Sequence, residues 1–207
     1  MSLKRVRGII DILEKMYPGD IPCYLHHATD WQLLIATILS AQCTDERVNI
    51  VTKDLFVKYP TVESFAGADL TELEEDIRST GFYHNKAKNI IECCKALREN
   101  HGGKVPSDID ELTKLAGVGR KTANVIRGHI YHIPSIVVDT HVKRISYRLQ
   151  LTDEEDPVKV EFDLMKIFPK EYWISYNTKI IAFGREICRS AHPKCQECPL
   201  AGYCRNS

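Results

Sequence analysis

Apolar residues recur along the chain with the three-to-four spacing of helices and hardly anywhere with the alternation of strands. Residues 31–41 are apolar nearly all round, which predicts a helix buried on every side. Thr29, with Gln32 three residues on, offers a capping box at its start. A second helix fits 45–57, with Val48, Val51 and Leu55 on one face. Thr71 and Glu74 suggest a further capping box, and Gly81 ends that short helix. Ala87, Ile90, Ile91, Cys94 and Leu97 mark a helix that stops at Gly102-Gly103. Ser107 is placed to cap one carrying Ile109, Leu112 and Leu115, and after Gly117-Val118-Gly119 another begins near Arg120. Further helices fit 140–149, 157–168 and 171–187, the second of them opening on Pro157. Ile136-Val137-Val138 is β-like but too short and isolated to found a sheet. With about ten helices and no strand pair, the expected class is all-α.

The chain has 207 residues, enough for one large domain or two small ones, and no repeat or long linker divides it. The longest apolar run, Leu33 to Leu39, is far too short to span a bilayer. No long apolar core follows Met1-Ser2-Leu3-Lys4-Arg5, so no export signal is read and a cytoplasmic protein is expected. Basic and acidic side chains number 28 each, and a net charge of zero by itself argues against a partner such as nucleic acid. The distribution changes that picture. Residues 117–150 hold Arg120, Lys121, Arg127, Lys143, Arg144 and Arg148 against Asp139 alone, a net +5. Residues 62–78 carry a net −5, and 152–163 are also acidic. A basic segment sits on the Gly-x-Gly break, and the acidic stretches are expected to lie away from whatever anion it meets.

Eight cysteines are many for a chain in a reducing compartment, where disulfides are disfavoured. Four crowd the end as Cys188-x6-Cys195-x2-Cys198-x5-Cys204. The tight turn at Cys195-Gln196-Glu197-Cys198 lets two sulfurs face one centre, and the outer two close it. Four thiolates suit zinc or an iron–sulfur cluster, and the spacing alone leaves both open. Cys43, Cys93 and Cys94 read as small buried residues, and the histidines show no ligand spacing.

Leu112 to Ala123 reads as helix, tight turn, helix. Two glycines permit positive φ and close approach of the backbone to a ligand. The amides of the following helix point outward at a terminus that suits phosphate, so the motif fits a nucleic-acid backbone. A nucleotide P-loop is excluded, because its glycine–lysine spacing and its preceding strand are missing. Lys121, in the first turn near the positive dipole end, is a candidate amine nucleophile; the plainer alternative is a phosphate contact. Asp139, ending the apolar 136–138 segment, is placed either to cap the next helix or to act as a base and stabilise a developing cation.

Three separated segments together resemble the endonuclease III family of DNA base-excision-repair glycosylases. They are Leu39-Ser40-Ala41-Gln42-Cys43-Thr44-Asp45, the hairpin over 112–125 followed by Val138-Asp139-Thr140-His141, and the C-terminal cysteine set. The resemblance implies two helical lobes with a DNA cleft between them. One is a six-helix barrel over 22–133 carrying the hairpin (112–131); the other joins 1–21 to 134–207. It implies a 4Fe–4S cluster on Cys188, Cys195, Cys198 and Cys204, structural rather than catalytic. It implies Lys121 and Asp139 as the catalytic pair, and a monomer acting on double-stranded DNA that carries a damaged base or an abasic site. Members that only remove bases lack a lysine at this position, so Lys121 implies glycosylase and abasic-site lyase activities combined.

Gln42 matches the residue that fills the gap left by the flipped nucleotide. Phe82 stands where the family usually inserts an aliphatic wedge. Gly117, Val118, Gly119, Arg120, Thr122, His141, Arg144, Arg185, Arg189 and Lys194 complete the expected DNA contacts. Ala116 stands where the family usually has proline, which implies a slightly looser hairpin turn, and Thr80 and Phe82 replace usual aliphatics, which points to an altered damage or opposite-base preference. Two other readings remain. One is a mismatch glycosylase for adenine or thymine, whose adenine-removing members usually carry a C-terminal domain beyond the cysteines. The other is a non-catalytic hairpin DNA-binding protein, against which Lys121 and Asp139 both argue.

Overall fold

In the computed structural model, which describes residues 3–206, eleven α-helices and four short 3-10 turns carry the chain, with no β-strand among the described residues. They are α1 (Leu3–Met16), α2 (Asp30–Leu39), α3 (Asp45–Lys58), α4 (Val62–Ala66), α5 (Leu70–Ile77), α6 (Tyr83–His101), α7 (Ile109–Lys114), α8 (Arg120–His129), α9 (Thr140–Arg148), α10 (Pro157–Ile167) and α11 (Trp173–Glu186). The all-α expectation is met. Among the described residues no helix is long and apolar enough to cross a membrane. The chain divides into two compact units, one of residues 23–132 and one formed by the chain up to Pro22 together with the chain from Ile133 onward. Met1, Ser2 and Ser207, which the expected lobes included, lie outside the described residues.

The 23–132 unit is built round α2. Every residue from Leu33 to Leu39 is buried, as expected of a stretch that is apolar at every position but Thr37, whose hydroxyl donates to Leu33 O at 2.7 Å. Its start is Thr29, whose Oγ1 accepts from Gln32 N at 3.3 Å. Gln32 Oε1 accepts from Ala28 N at 2.7 Å, one residue before the N-cap amide that the reciprocal box would use. α3, α4, α5 and α6 supply Val48, Leu55, Phe65, Leu73, Ile77, Ile90 and Leu97 to the same core, each burial favouring the fold by about 1.5–3 kcal/mol. Two caps differ from expectation. α5 starts at Asp69, which accepts from Glu72 N at 2.9 Å, and not at Thr71. α7 starts at Asp108, which accepts from Asp110 N and Glu111 N, and not at Ser107. In each case a carboxylate with two acceptor oxygens stands close to a hydroxyl in sequence and takes the cap. The unit holds seven α-helices, where the resemblance implied six.

The other unit gathers Val6, Ile9, Ile10 and Leu13 of α1 with Val142, Ile145, Val160, Leu164, Ile180 and Phe183 of α9, α10 and α11. Ile136-Val137-Val138 is buried but belongs to no strand. Asn177 Nδ2 donates to Val137 O at 2.8 Å, supplying a partner that a neighbouring strand would otherwise give. Beyond α11 the described residues form no further α-helix and run through 3-10 turns at Cys195–Glu197 and Ala201–Tyr203.

Candidate active site and cysteine loop

The hairpin turns where α7 gives way to α8. Leu112 and Leu115 are buried and lock the first helix inward. Gly117 has φ +76°, and a Cβ built there would stand 2.9 Å from Asn89 Cβ. Both the conformation and the space demand glycine. Gly119 differs: its φ of −87° suits any residue, and no atom lies within 4 Å of a Cβ built there. Glycine at 119 is therefore not needed by the unit itself and keeps the approach to the α8 terminus open.

Val118 departs from expectation. Its side chain is 5% exposed and its N–H donates to Leu115 O at 3.1 Å. It anchors the turn, and neither its side chain nor its amide is presented outward. No side chain caps α8, whose N-cap is Gly119, so the amides of its first turn have no acceptor inside the helix. Lys121 lies exposed in that turn, with Arg120 and Thr122 partly exposed on either side, while Ala123 and Ile126 fasten α8 to the core.

Gln42 and Phe82 occupy two exposed loops of the same unit. Gln42 follows α2 with φ 53°, and Phe82 precedes α6 with φ 49° and 61% exposure.

Asp139 opens α9 in the other unit. Its Oδ1 accepts from Val142 N at 2.7 Å, so the capping alternative is realised. A carboxylate has a second oxygen, so capping and chemistry at Asp139 are compatible. His141 packs on Gly184, where a Cβ would meet its Nδ1 at 2.3 Å. Arg144 is turned inward rather than to a phosphate: its Nη2 donates to Cys188 O at 2.9 Å and stands 3.2 Å from His141 Nδ1. One turn on, Arg148 Nη1 donates to Cys188 Sγ at 3.2 Å and to Arg189 O at 3.1 Å. In the sequence Arg148 stands out only by its charge; its i+4 relation to Arg144 is the signal that both face one place. Arg185, Arg189 and Lys194 are exposed; Arg189 Nε donates to Arg185 O, and Lys194 pairs at 4.0 Å with Glu197.

Cys188, Cys195, Cys198 and Cys204 line a single cavity of about 250 Å³, walled also by Arg148, Ile187 and Ala201. Among the described residues no three cysteine, histidine or acidic side chains converge as they would round one metal ion. A space of this size among four thiols has room for a multi-atom group. The loop is tied down around them: Arg5 donates to Tyr203 O and, at 3.1 Å, to Leu149 O; Arg205 N donates to Arg148 O at 2.8 Å. Cys93 and Cys94 are fully buried, where desolvation pushes both thiols up, Cys93 to about 12. Cys43 is half-buried.

Residues 35–170 match the model of the HhH-GPD superfamily of base excision DNA repair proteins. Endonuclease III of Synechocystis sp. is 50% identical over 202 residues, covering 97% of this chain and 92% of the relative. Two solved structures, a non-covalent endonuclease III–DNA complex and a trapped endonuclease III–DNA covalent intermediate, are each 48% identical with a TM-score of 0.94. Each covers 99% of this chain and 96% of the solved one. The chain belongs to the HhH-GPD superfamily of base excision DNA repair proteins, and within it to the endonuclease III family.

Proposed function

We propose that this DNA glycosylase and abasic-site lyase acts on oxidised pyrimidines in duplex DNA through Lys121 and Asp139. The observation that carries the reading is an exposed lysine in the uncapped first turn of α8, directly behind the Gly117 turn. The α8 amides and the hairpin backbone take the phosphates on either side of the lesion. The damaged nucleotide leaves the stack, because its C1′ is unreachable within it. Gln42 fills the vacated space and Phe82 stacks on the opposite strand.

The chemistry then follows from an amine and a carboxylate. Asp139 is assigned to stabilise the positive charge that develops at C1′, and Lys121 to react as the neutral amine. The Lys121 nitrogen bonds to C1′ while the base departs with the electron pair of the glycosidic bond. Opening of the sugar ring leaves a protonated imine between Lys121 and C1′. Loss of a C2′ proton expels the 3′ phosphate, and water releases the enzyme. The relative trapped as a covalent intermediate with DNA supports a covalent route for this chain.

Cys188, Cys195, Cys198 and Cys204 would hold a 4Fe–4S cluster, which the four-thiol donor set and the cavity fit. When bound, it cross-links a loop that has no α-helix of its own and takes no part in the bond-making steps.

A duplex with one oxidised pyrimidine tests the reading. Strand cutting without added base, leaving a 3′ unsaturated aldehyde, is the expected product. Base loss with an intact strand would instead mean a glycosylase only. Action on mismatched normal bases would move the substrate to a mismatch, and binding without either product would leave a DNA-binding protein.

A further inference from the structure

Lys86 stands where the pattern of α6 asks for an apolar residue. It shares the buried face with Ala87 and Ile90 and is 4% exposed. Its ammonium nitrogen donates to two backbone carbonyls, Leu39 O and Thr80 O, each at 2.8 Å. Leu39 is the last residue of α2, where the helix dipole leaves partial negative charge. Thr80 is the last residue of a 3-10 turn. Burial lowers the pKa of Lys86, yet two of its three ammonium donors are directed at carbonyls.

These two carbonyls are the roots of the two loops that bear Gln42 and Phe82. Both tips are non-glycine residues at positive φ, 53° and 49°. Such conformations cost free energy and persist only where their surroundings fix them. One buried cation thus reaches both roots, from segments far apart in sequence.

We propose that Lys86 is a positioning residue that holds the loops of Gln42 and Phe82 in one fixed relation, so that both side chains enter the duplex together at the lesion. This rests on Gln42 and Phe82 acting as insertion residues, as proposed above. Removing the ammonium orphans two carbonyls and frees two strained tips to relax separately. Extrusion of a stacked base suffers most, whereas an abasic nucleotide has no base to displace.

Lys86→Met, Gln42→Ala and Phe82→Ala, with the Lys86→Met/Gln42→Ala double variant, provide the test. Single-turnover base removal is measured beside strand cutting of a ready-made abasic duplex and the thermal midpoint. Base removal by Lys86→Met is expected to fall about 10- to 100-fold, the scale of an ångström's misplacement. Abasic-site cutting should stay within about threefold of the parent enzyme, and the double variant should lose less than the product of the single effects. Parallel loss of both activities, or multiplicative effects in the double variant, overturns the inference. So does unimpaired base removal by Lys86→Met while Gln42→Ala is impaired, and there the insertion reading survives. Unimpaired base removal by Gln42→Ala and Phe82→Ala overturns the insertion reading and this inference with it. Should Lys86→Met not fold, Lys86→Gln is judged by the same criteria; failure of both to fold makes Lys86 a general fold determinant and also overturns the proposal.

Discussion

The two units hold the side chains proposed for the chemistry by different means. In the 23–132 unit Lys121 rides on a helix fastened through Ala123 and Ile126 to an apolar core, behind a turn whose geometry only glycine meets. In the other unit Asp139 opens α9, whose Arg144 and Arg148 reach the cysteine loop by directed bonds to Cys188. That loop buries little of its own: from Cys188 onward Leu200 alone is a buried apolar residue among those described. Apolar burial is insensitive to small displacements of its parts, whereas a loop held by hydrogen bonds and thiols depends on each tie. The first unit should therefore tolerate loss of a cofactor and the second should not.

The contrast can be broken in order of expected effect. Lys121→Ala should lower strand cutting by on the order of 10³-fold or more without moving the thermal midpoint, since its side chain is exposed. A residual rate near the parent's would place the nucleophile elsewhere. Asp139→Asn keeps an oxygen for the α9 cap and removes the charge. It should lower base removal by about 10²- to 10⁴-fold at unchanged stability. Asp139→Ala should add about 1 kcal/mol of destabilisation from the lost cap. Equal stability of the two variants would contradict the cap. Cys198→Ser should abolish the visible absorption of an iron–sulfur centre. It should also raise hydrogen exchange in α9 and 188–206, with α2 and α6 unchanged. Uniform loosening of both units would remove the distinction drawn here. The smallest effect separates the two glycines. Gly117→Ala should cost about 1–3 kcal/mol of stability, and Gly119→Ala within about 0.5 kcal/mol. Any loss of DNA affinity in Gly119→Ala then reports backbone approach to the ligand.

Much of this was legible in the residues because the signals were local. The α2 run from Leu33 to Leu39 could only be buried, Gly102 could only end α6, and Cys195-x2-Cys198 announced its own turn. The helix starts at Asp69 and Asp108 were misplaced because Thr71 and Ser107 compete within two residues, and side-chain reach decides between them. Directions were less legible than positions. Charge marked Arg144 as a phosphate contact, but its partner Cys188 O is 44 residues away in sequence and only the fold brings them together. Lys86 was hidden for the same reason, since its role lies in two carbonyls on other segments.

On the mechanism proposed above, the Lys121 amine forms a covalent imine with C1′ of the lesion. Borohydride reduction during turnover on a duplex bearing an oxidised pyrimidine, followed by proteolysis and mass spectrometry of the adduct, reads that bond directly. The expected result is a deoxyribose-derived mass on the peptide containing Lys121 and its absence in Lys121→Ala. A reduced adduct on another residue, or none while base removal proceeds, would contradict it.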